Sequence, residues 1–194
     1  MGELILQNIE RHISLSKDDA RYILSSFNPK KFNKNESVLQ VGECCKYEYF
    51  VNVGCLRSFY LDQNEIEHTT MFAISGWWTG NLRSFVTNSP SLFAIEALQD
   101  TEVLRISNPQ LERLYQKVPT LNKFFRIILQ NNLFATQDRV MHHLSSSAET
   151  RYTLFNKKFP GLEKIVSQKI IASYLGITPA YLSRLRKKFK SAQN

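Results

Sequence analysis

The sequence predicts an α+β fold: an N-terminal antiparallel β-roll of jelly-roll type with flanking helices, one long helix, and a C-terminal helix-turn-helix domain with a reduced or absent wing. Three observations predict it. Residues 32–106 are cut by turn residues into short β-branched and aromatic runs, residues 119–145 keep a helical period without an internal breaker, and residues 168–188 fill the positions that two helices joined by a tight turn require. The corresponding domain boundaries are 1–118 for the roll, 119–145 for the connecting helix and 146–194 for the last domain.

The first stretch places Leu4, Ile5, Ile9 and Ile13, then Tyr22, Ile23 and Phe27, at helical spacing, with Ser16 as a cap ahead of Asp18 and Asp19. Two short helices are expected there. Strands are expected over residues 37–41, 47–53, 56–61, 67–72 and 94–106, separated by Gly42-Glu43, Gly54, the 62–65 turn, Ser75-Gly76 and Asn88-Ser89-Pro90. After Pro109 the period is helical again, first over 110–116 and then from Pro119, a good first-turn residue.

Within the long helix, Leu121, Phe125, Ile128, Asn132, Ala135, Arg139 and His142 recur at alternating steps of four and three, and Phe124, Ile127, Phe134 and Met141 add a neighbouring apolar stripe. A helix of about 27 residues spans roughly 40 Å, more than a small roll covers. The seven-residue stripe is therefore expected to form a homodimer interface. The alternative is a helix buried wholly in its own chain.

Composition narrows the function. The 194 residues are 43% hydrophobic and 22% charged, and no apolar run approaches the roughly 20 residues of a membrane helix. The start, Met1-Gly2-Glu3-Leu4-Ile5-Leu6, lacks the basic lead of a signal peptide, so a cytoplasmic protein with no membrane partner is expected. Cys44, Cys45 and Cys55 show no CxxC spacing and encode neither a disulfide framework nor a zinc site; a structural role is expected, with redox sensing by Cys44-Cys45 as the functional alternative.

The formal net charge of +8 lies entirely in residues 145–194, where ten Lys/Arg face only Glu149 and Glu163; residues 1–144 carry fifteen of each sign. So concentrated a field suits a polyanion, because each phosphate neutralised by a cation releases counterions. The helix-turn-helix lies within this segment. Ile171 and Leu175 make the inner face of its first helix, Ala172 is small where helices cross, Gly176 supplies the turn, Ile177 plugs the corner, and Leu182 and Leu185 face inward from the second helix. Thr178 and Pro179 form a cap and a first helical residue.

Such a second helix reads the major groove of double-stranded DNA, where an arginine donates two hydrogen bonds to guanine. Arg184 is assigned that role. Thr178, Pro179, Ala180 and Tyr181 are expected nearest the groove with Ser183 beside Arg184, while Ser167, Lys169, Arg186, Lys187 and Lys188 are expected at phosphates. The bland reading of the same residues is a three-helix packing unit with solvated charges, and the alternative function is a ligand- or partner-binding β-roll module that has lost sequence-specific DNA binding.

Taken together, the roll, the long helix and the wording Ile171-Ala172-Ser173-Tyr174-Leu175-Gly176-Ile177-Thr178-Pro179, with Ser183-Arg184-Leu185-Arg186-Lys187, resemble the Crp/Fnr family of bacterial regulators. The resemblance implies a homodimer built on the long helix, a near-palindromic DNA site, RNA polymerase as a further partner, and a ligand sensed in a cyclic-nucleotide-binding-like roll.

The sensor departs from the family pattern. Where relatives that bind cyclic nucleotides carry a Gly-Glu pair, this chain has Gly80-Asn81-Leu82; where they carry Arg-Ser, it has Ser91-Leu92. Losing a guanidinium removes the charge that a buried phosphate requires. Cyclic AMP in the usual manner is therefore not expected, Arg83 being the one nearby substitute, and no cofactor is assigned. An iron–sulfur cluster would need four cysteines. Haem would rest on His68, His142 or His143, each read as an ordinary polar residue. Trp77, Trp78, Phe72, Phe85 and Phe93 are read as core rather than as an apolar ligand pocket. A metal-dependent jelly-roll enzyme is disfavoured because residues 32–106 hold only His68.

Overall fold

In the computed structural model, which describes residues 2–191, the chain opens with helices α1 (Glu3–Glu10) and α2 (Lys17–Ser26). Ser16 fixes the start of α2 by a reciprocal cap: its hydroxyl accepts from the Asp19 N–H at 3.0 Å, and the Asp19 carboxylate accepts from the Ser16 N–H at 3.3 Å. Ile5, Ile9 and Ile23 turn inward from these helices and are buried.

Eight strands follow: β1 (Asn28–Phe32), β2 (Ser37–Leu39), β3 (Tyr47–Val53), β4 (Cys55–Leu61), β5 (Glu67–Ile74), β6 (Trp78–Thr79), β7 (Ala94–Ala97) and β8 (Thr101–Ser107). They form two four-stranded antiparallel sheets, in the orders β1-β8-β3-β6 and β2-β7-β4-β5. The inward faces bury Phe50, Val51, Leu56, Ile95, Val103 and Ile106. This is the roll that the alternating runs predict.

Three details differ from the sequence reading. The apolar run 94–106 is not one strand: Leu98-Gln99-Asp100 turn the chain from β7 in one sheet to β8 in the other. Strand β1, with Pro29 and two lysines and only Phe32 buried, has no strand-like composition; it forms because β8 offers it a partner at the sheet edge, where a proline is tolerated. A short helix α3 (Leu82–Thr87) stands between β6 and β7.

One buried charge braces the second sheet. Arg57 on β4, almost without solvent exposure, donates to Glu96 Oε1 at 2.5 Å and Glu67 Oε2 at 2.7 Å and stacks on the Phe59 ring. Two carboxylates from the strands on either side of β4 balance it, so the desolvation of the guanidinium is offset.

Helix α4 (Asn108–Lys117) is held by a Ser107–Gln110 capping box and leads into α5 (Leu121–Ser145), the 25-residue helix. Its first turns belong to the roll: Leu121 and Phe124 are fully buried, and Phe125 packs edge-on against Trp78 at 5.2 Å. This corrects the interface assignment. Leu121 lies in the roll's own core, Phe125 and Ile128 pack against that core, Arg139 bonds the backbone of β5, and His142 Nδ1 is 3.0 Å from Ser146 Oγ; Ala135 is half-buried and Asn132 alone of the seven is exposed. A repeat of four and three marks a buried face but not what buries it. The apolar residues that α5 leaves exposed are Leu129, Leu133, Phe134, Val140, Met141 and Leu144.

Helices α6 (Ala148–Lys158), α7 (Gln168–Leu175) and α8 (Pro179–Ser191) complete the chain, with a 3-10 turn at Leu162–Lys164. Their shared core of Tyr152, Phe155, Phe159, Leu162, Ile171, Leu175, Leu182 and Leu185 does not close on itself. Phe72, Cys55 and Leu98 of the roll fill it, and Phe72 is completely buried. The aromatics Trp77, Trp78 and Phe85 likewise pack in the cores, whereas Phe93 lies at the surface edge-on to Tyr60. Among the described residues, no helix is long and apolar enough to cross a membrane.

Candidate nucleic-acid interface

The turn between α7 and α8 is built by three residues. Gly176 closes α7 in the left-handed region at φ 65°, its N–H bonding back to α7 carbonyls, and the Ile177 N–H reaches the Ala172 carbonyl at 3.0 Å. The Thr178 hydroxyl then accepts from the Tyr181 N–H at 3.2 Å and caps α8, with Pro179 as its first residue. Ser167 caps α7 in the same way through the Ile170 N–H. A contact not foreseen from the sequence ties the two helix starts together: Gln168 Nε2 donates to the Pro179 carbonyl at 2.5 Å.

This geometry brings most of the assigned residues onto one surface. Ser167, Lys169, Thr178, Pro179, Ala180, Arg184, Lys187 and Lys188 are exposed, and Ser183 is half-buried among them. The Arg184 guanidinium lies 5.4 Å from the centroid of the Tyr181 ring, which presents it toward solvent, while the Tyr181 hydroxyl is 3.4 Å from Glu149. Lys188 stands 3.8 Å from Glu149 with its side chain 73% exposed, a surface pair too weak to withdraw it from a phosphate.

Arg186 is the exception. It is half-buried and its guanidinium is 3.2 Å from the Glu163 carboxylate, so it closes α8 against the turn that precedes α7. Its step along α8 places it beside Leu182 and Leu185, so in the free chain it makes this structural contact. The expected wing concerns residues after Ser191, which lie outside the described residues.

Helix α7 is also anchored to the roll. Ser173 Oγ donates to the Glu67 carbonyl at 2.7 Å and accepts from the Thr69 N–H at 2.9 Å, so it pairs with the free edge of β5. Arg139 from α5 donates to the Thr69 carbonyl at 2.9 Å and to the Thr70 carbonyl, and its guanidinium covers the Tyr174 ring. Arg151 bridges the ends of two helices, donating to the Leu175 carbonyl at 3.0 Å and the Ser146 carbonyl at 2.7 Å. Sequence reasoning missed all three, since nothing in their spacing tells a backbone clamp from a solvated side chain.

In the roll, the residues that align with the nucleotide-binding elements satisfy one another. Asn81 caps α3 by accepting from the Ser84 N–H at 3.1 Å and donates to Ser91 Oγ at 2.7 Å; Ser91, 1% exposed, donates in turn to the Phe93 carbonyl at 2.7 Å. Leu82, Arg83 and Leu92 are exposed. Glu48 lies against Gly80 so closely that a Cβ there would meet its carboxylate at 2.6 Å. In its ionised form that carboxylate repels a phosphate. Burial raises its pKa to about 7, and its Oε1 is buried without a hydrogen-bond partner.

The three thiols are free. Burial raises Cys45 and pushes Cys55 up to about 12, which keeps both as neutral thiols; Cys44 is half-buried.

Comparison with known proteins fits this picture. Residues 29–118 match the family model described as "Cyclic nucleotide-binding domain". Electron transport regulator A of Shewanella oneidensis and the fumarate and nitrate reduction regulatory protein of Escherichia coli K12 are each 24% identical over 174 residues, covering 84% of this chain and 69% of theirs. Among solved structures, FixK2 from Bradyrhizobium japonicum aligns with a TM-score of 0.75 at 18% identity over 86% of both chains. CLP of Xanthomonas campestris, described as a c-di-GMP responsive global regulator, aligns at 0.72 with 16% identity over 92% of this chain and 93% of its own. With its cyclic-nucleotide-binding-type roll, long helix and C-terminal helical domain, the chain has a Crp/Fnr-like fold and is similar to regulators of that family.

Proposed function

We propose that this protein is a homodimeric transcription regulator that reads a near-palindromic site in double-stranded DNA through α8. The exposed cationic face formed by Lys169, Arg184, Lys187 and Lys188 around two capped helix starts carries the reading. These side chains are free of buried partners and stand where a recognition helix meets base edges and phosphates. The dimer is supported by Leu129, Leu133, Val140 and Leu144, which recur along α5 at steps of four, seven and four and are 46%, 55%, 53% and 84% exposed. So long an apolar stripe suits a second copy of the same helix. RNA polymerase follows as a partner from the regulatory role, and no enzymatic activity is proposed.

The roll is not expected to hold cyclic AMP in the manner of relatives that bind it. The Asn81–Ser91 hydrogen bond joins the two elements that would have to face the ligand, and the Glu48 carboxylate stands beside Gly80.

Selection of bound fragments from genomic DNA tests the proposal and yields the operator. Against that operator, Arg184→Ala is expected to lose about 1–3 kcal/mol of discrimination between cognate and mismatched duplexes, read as the ratio of the two affinities. An unchanged ratio would remove Arg184 from base reading.

A further inference from the structure

A cleft of about 470 Å³ opens between α5 on one side and α6 with the end of α7 on the other. It belongs neither to the cationic face of α8 nor to the roll. Its volume lies within the range of small-molecule sites, roughly 300–1,000 Å³.

The chemistry of its walls is one-sided. Arg139, Arg151, Lys157 and Lys158 line it against a single acid, Asp138, and among the described residues none of these four cations has a carboxylate within 4.0 Å. The hydrogen bonds that Arg139 and Arg151 make go to neutral backbone carbonyls, which orient the guanidinium groups but leave their charge unbalanced. Arg139 Nε is buried with no acceptor. Burial and mutual repulsion pull Lys158 down, and burial together with Arg139 and Arg151 pulls His143 down. Between these cations the surface is apolar: Leu154, Phe155 and Tyr174 lie in the same cleft.

Repelling cations are costly to hold together unless an anion joins them, and an apolar floor favours a ligand with a body to bury. We propose that this cleft is a binding site for a small organic anion, its carboxylate or phosphate head against the Arg139–Lys158 side and its apolar body on Leu154, Phe155 and Tyr174. Such a ligand touches the long helix and the helix-turn-helix at once, which suits an effector; that regulatory part rests on the DNA-binding reading, whereas the binding itself does not.

The test uses the full chain without DNA, so its failure is separate from a failure of DNA binding. Anilinonaphthalene sulfonate, an aromatic anion, is titrated and its fluorescence followed. Saturable binding of one probe per chain is expected, with Lys157→Gln/Lys158→Gln weakening it by about tenfold or more, equivalent to the loss of one to two charge-assisted contacts. Among the described residues neither lysine makes a side-chain hydrogen bond or an ion pair, and the one contact given up is the approach of the Lys158 ammonium to the Trp77 and Phe159 rings at 5.5 and 5.6 Å, so the fold should survive; Lys30→Gln/Lys34→Gln removes the same charge elsewhere and is expected to change nothing. Octanoate and octyl phosphate are then compared with 1-octanol as competitors, the better of the two anions identifying the head group. The proposal is overturned if the double variant at the cleft binds the probe as the wild type does, or if the neutral alcohol competes as well as the anions.

Discussion

Phe72→Ala is expected to lower stability by about 3–5 kcal/mol, the range for emptying a fully buried aromatic position. Phe72 sits on β5, with no solvent exposure, and its ring meets those of Tyr174 at 5.1 Å, Phe159 at 5.5 Å and Phe155 at 6.1 Å. It is therefore a side chain of the roll that completes the core of the C-terminal helices. Denaturant unfolding read separately by near-ultraviolet and far-ultraviolet signals should give one coincident transition for the wild type and an earlier midpoint for the variant. A loss below about 1 kcal/mol would mean that the cavity refills and that the two parts do not share this core.

The second large effect is a pH dependence centred on Glu48. With its pKa raised from 4.5 to about 7, the folded protein binds more protons than the unfolded chain between those values. Stability from this group is thus present below pH 4.5 and is lost as pH rises through 7. The cost above about pH 8 is on the order of 3 kcal/mol, because each tenfold change in proton affinity on folding is worth about 1.4 kcal/mol. Glu48→Gln keeps the shape and removes the charge. It is expected to be nearly neutral at about pH 4, to raise the melting temperature at about pH 8, and to flatten the profile between them. Equal stability of variant and wild type at the higher pH would show that the carboxylate is well solvated.

The strongest features of the sequence were those whose spacing has one physical solution. Gly176 with its left-handed φ, Ile177 in the corner, and Thr178-Pro179 opening α8 all follow from the geometry of two helices joined in so few residues. The roll was legible from strand-like runs and turns. What was not legible depends on partners far along the chain. Strand β1 exists because of β8, and Arg57 is buried because Glu67 and Glu96 reach it from neighbouring strands. Along α5 the period located an inward face correctly but could not tell the chain's own β5 from a second copy, so Arg139 was placed in the wrong contact. The Arg186 contact was hidden for a related reason: among Arg186, Lys187 and Lys188 only the helical step decides which cation meets Glu163.

Duplex DNA is proposed to bind through the exposed cations of α8 and of the start of α7. The most direct test is the affinity for the selected operator as a function of salt concentration. With Lys169, Arg184, Lys187 and Lys188 at phosphates or base edges, log K is expected to fall linearly with log salt, with a slope of about −3 to −4 per bound chain. A slope shallower than about −1 would contradict the account, since the concentrated positive charge would then have no phosphates to neutralise.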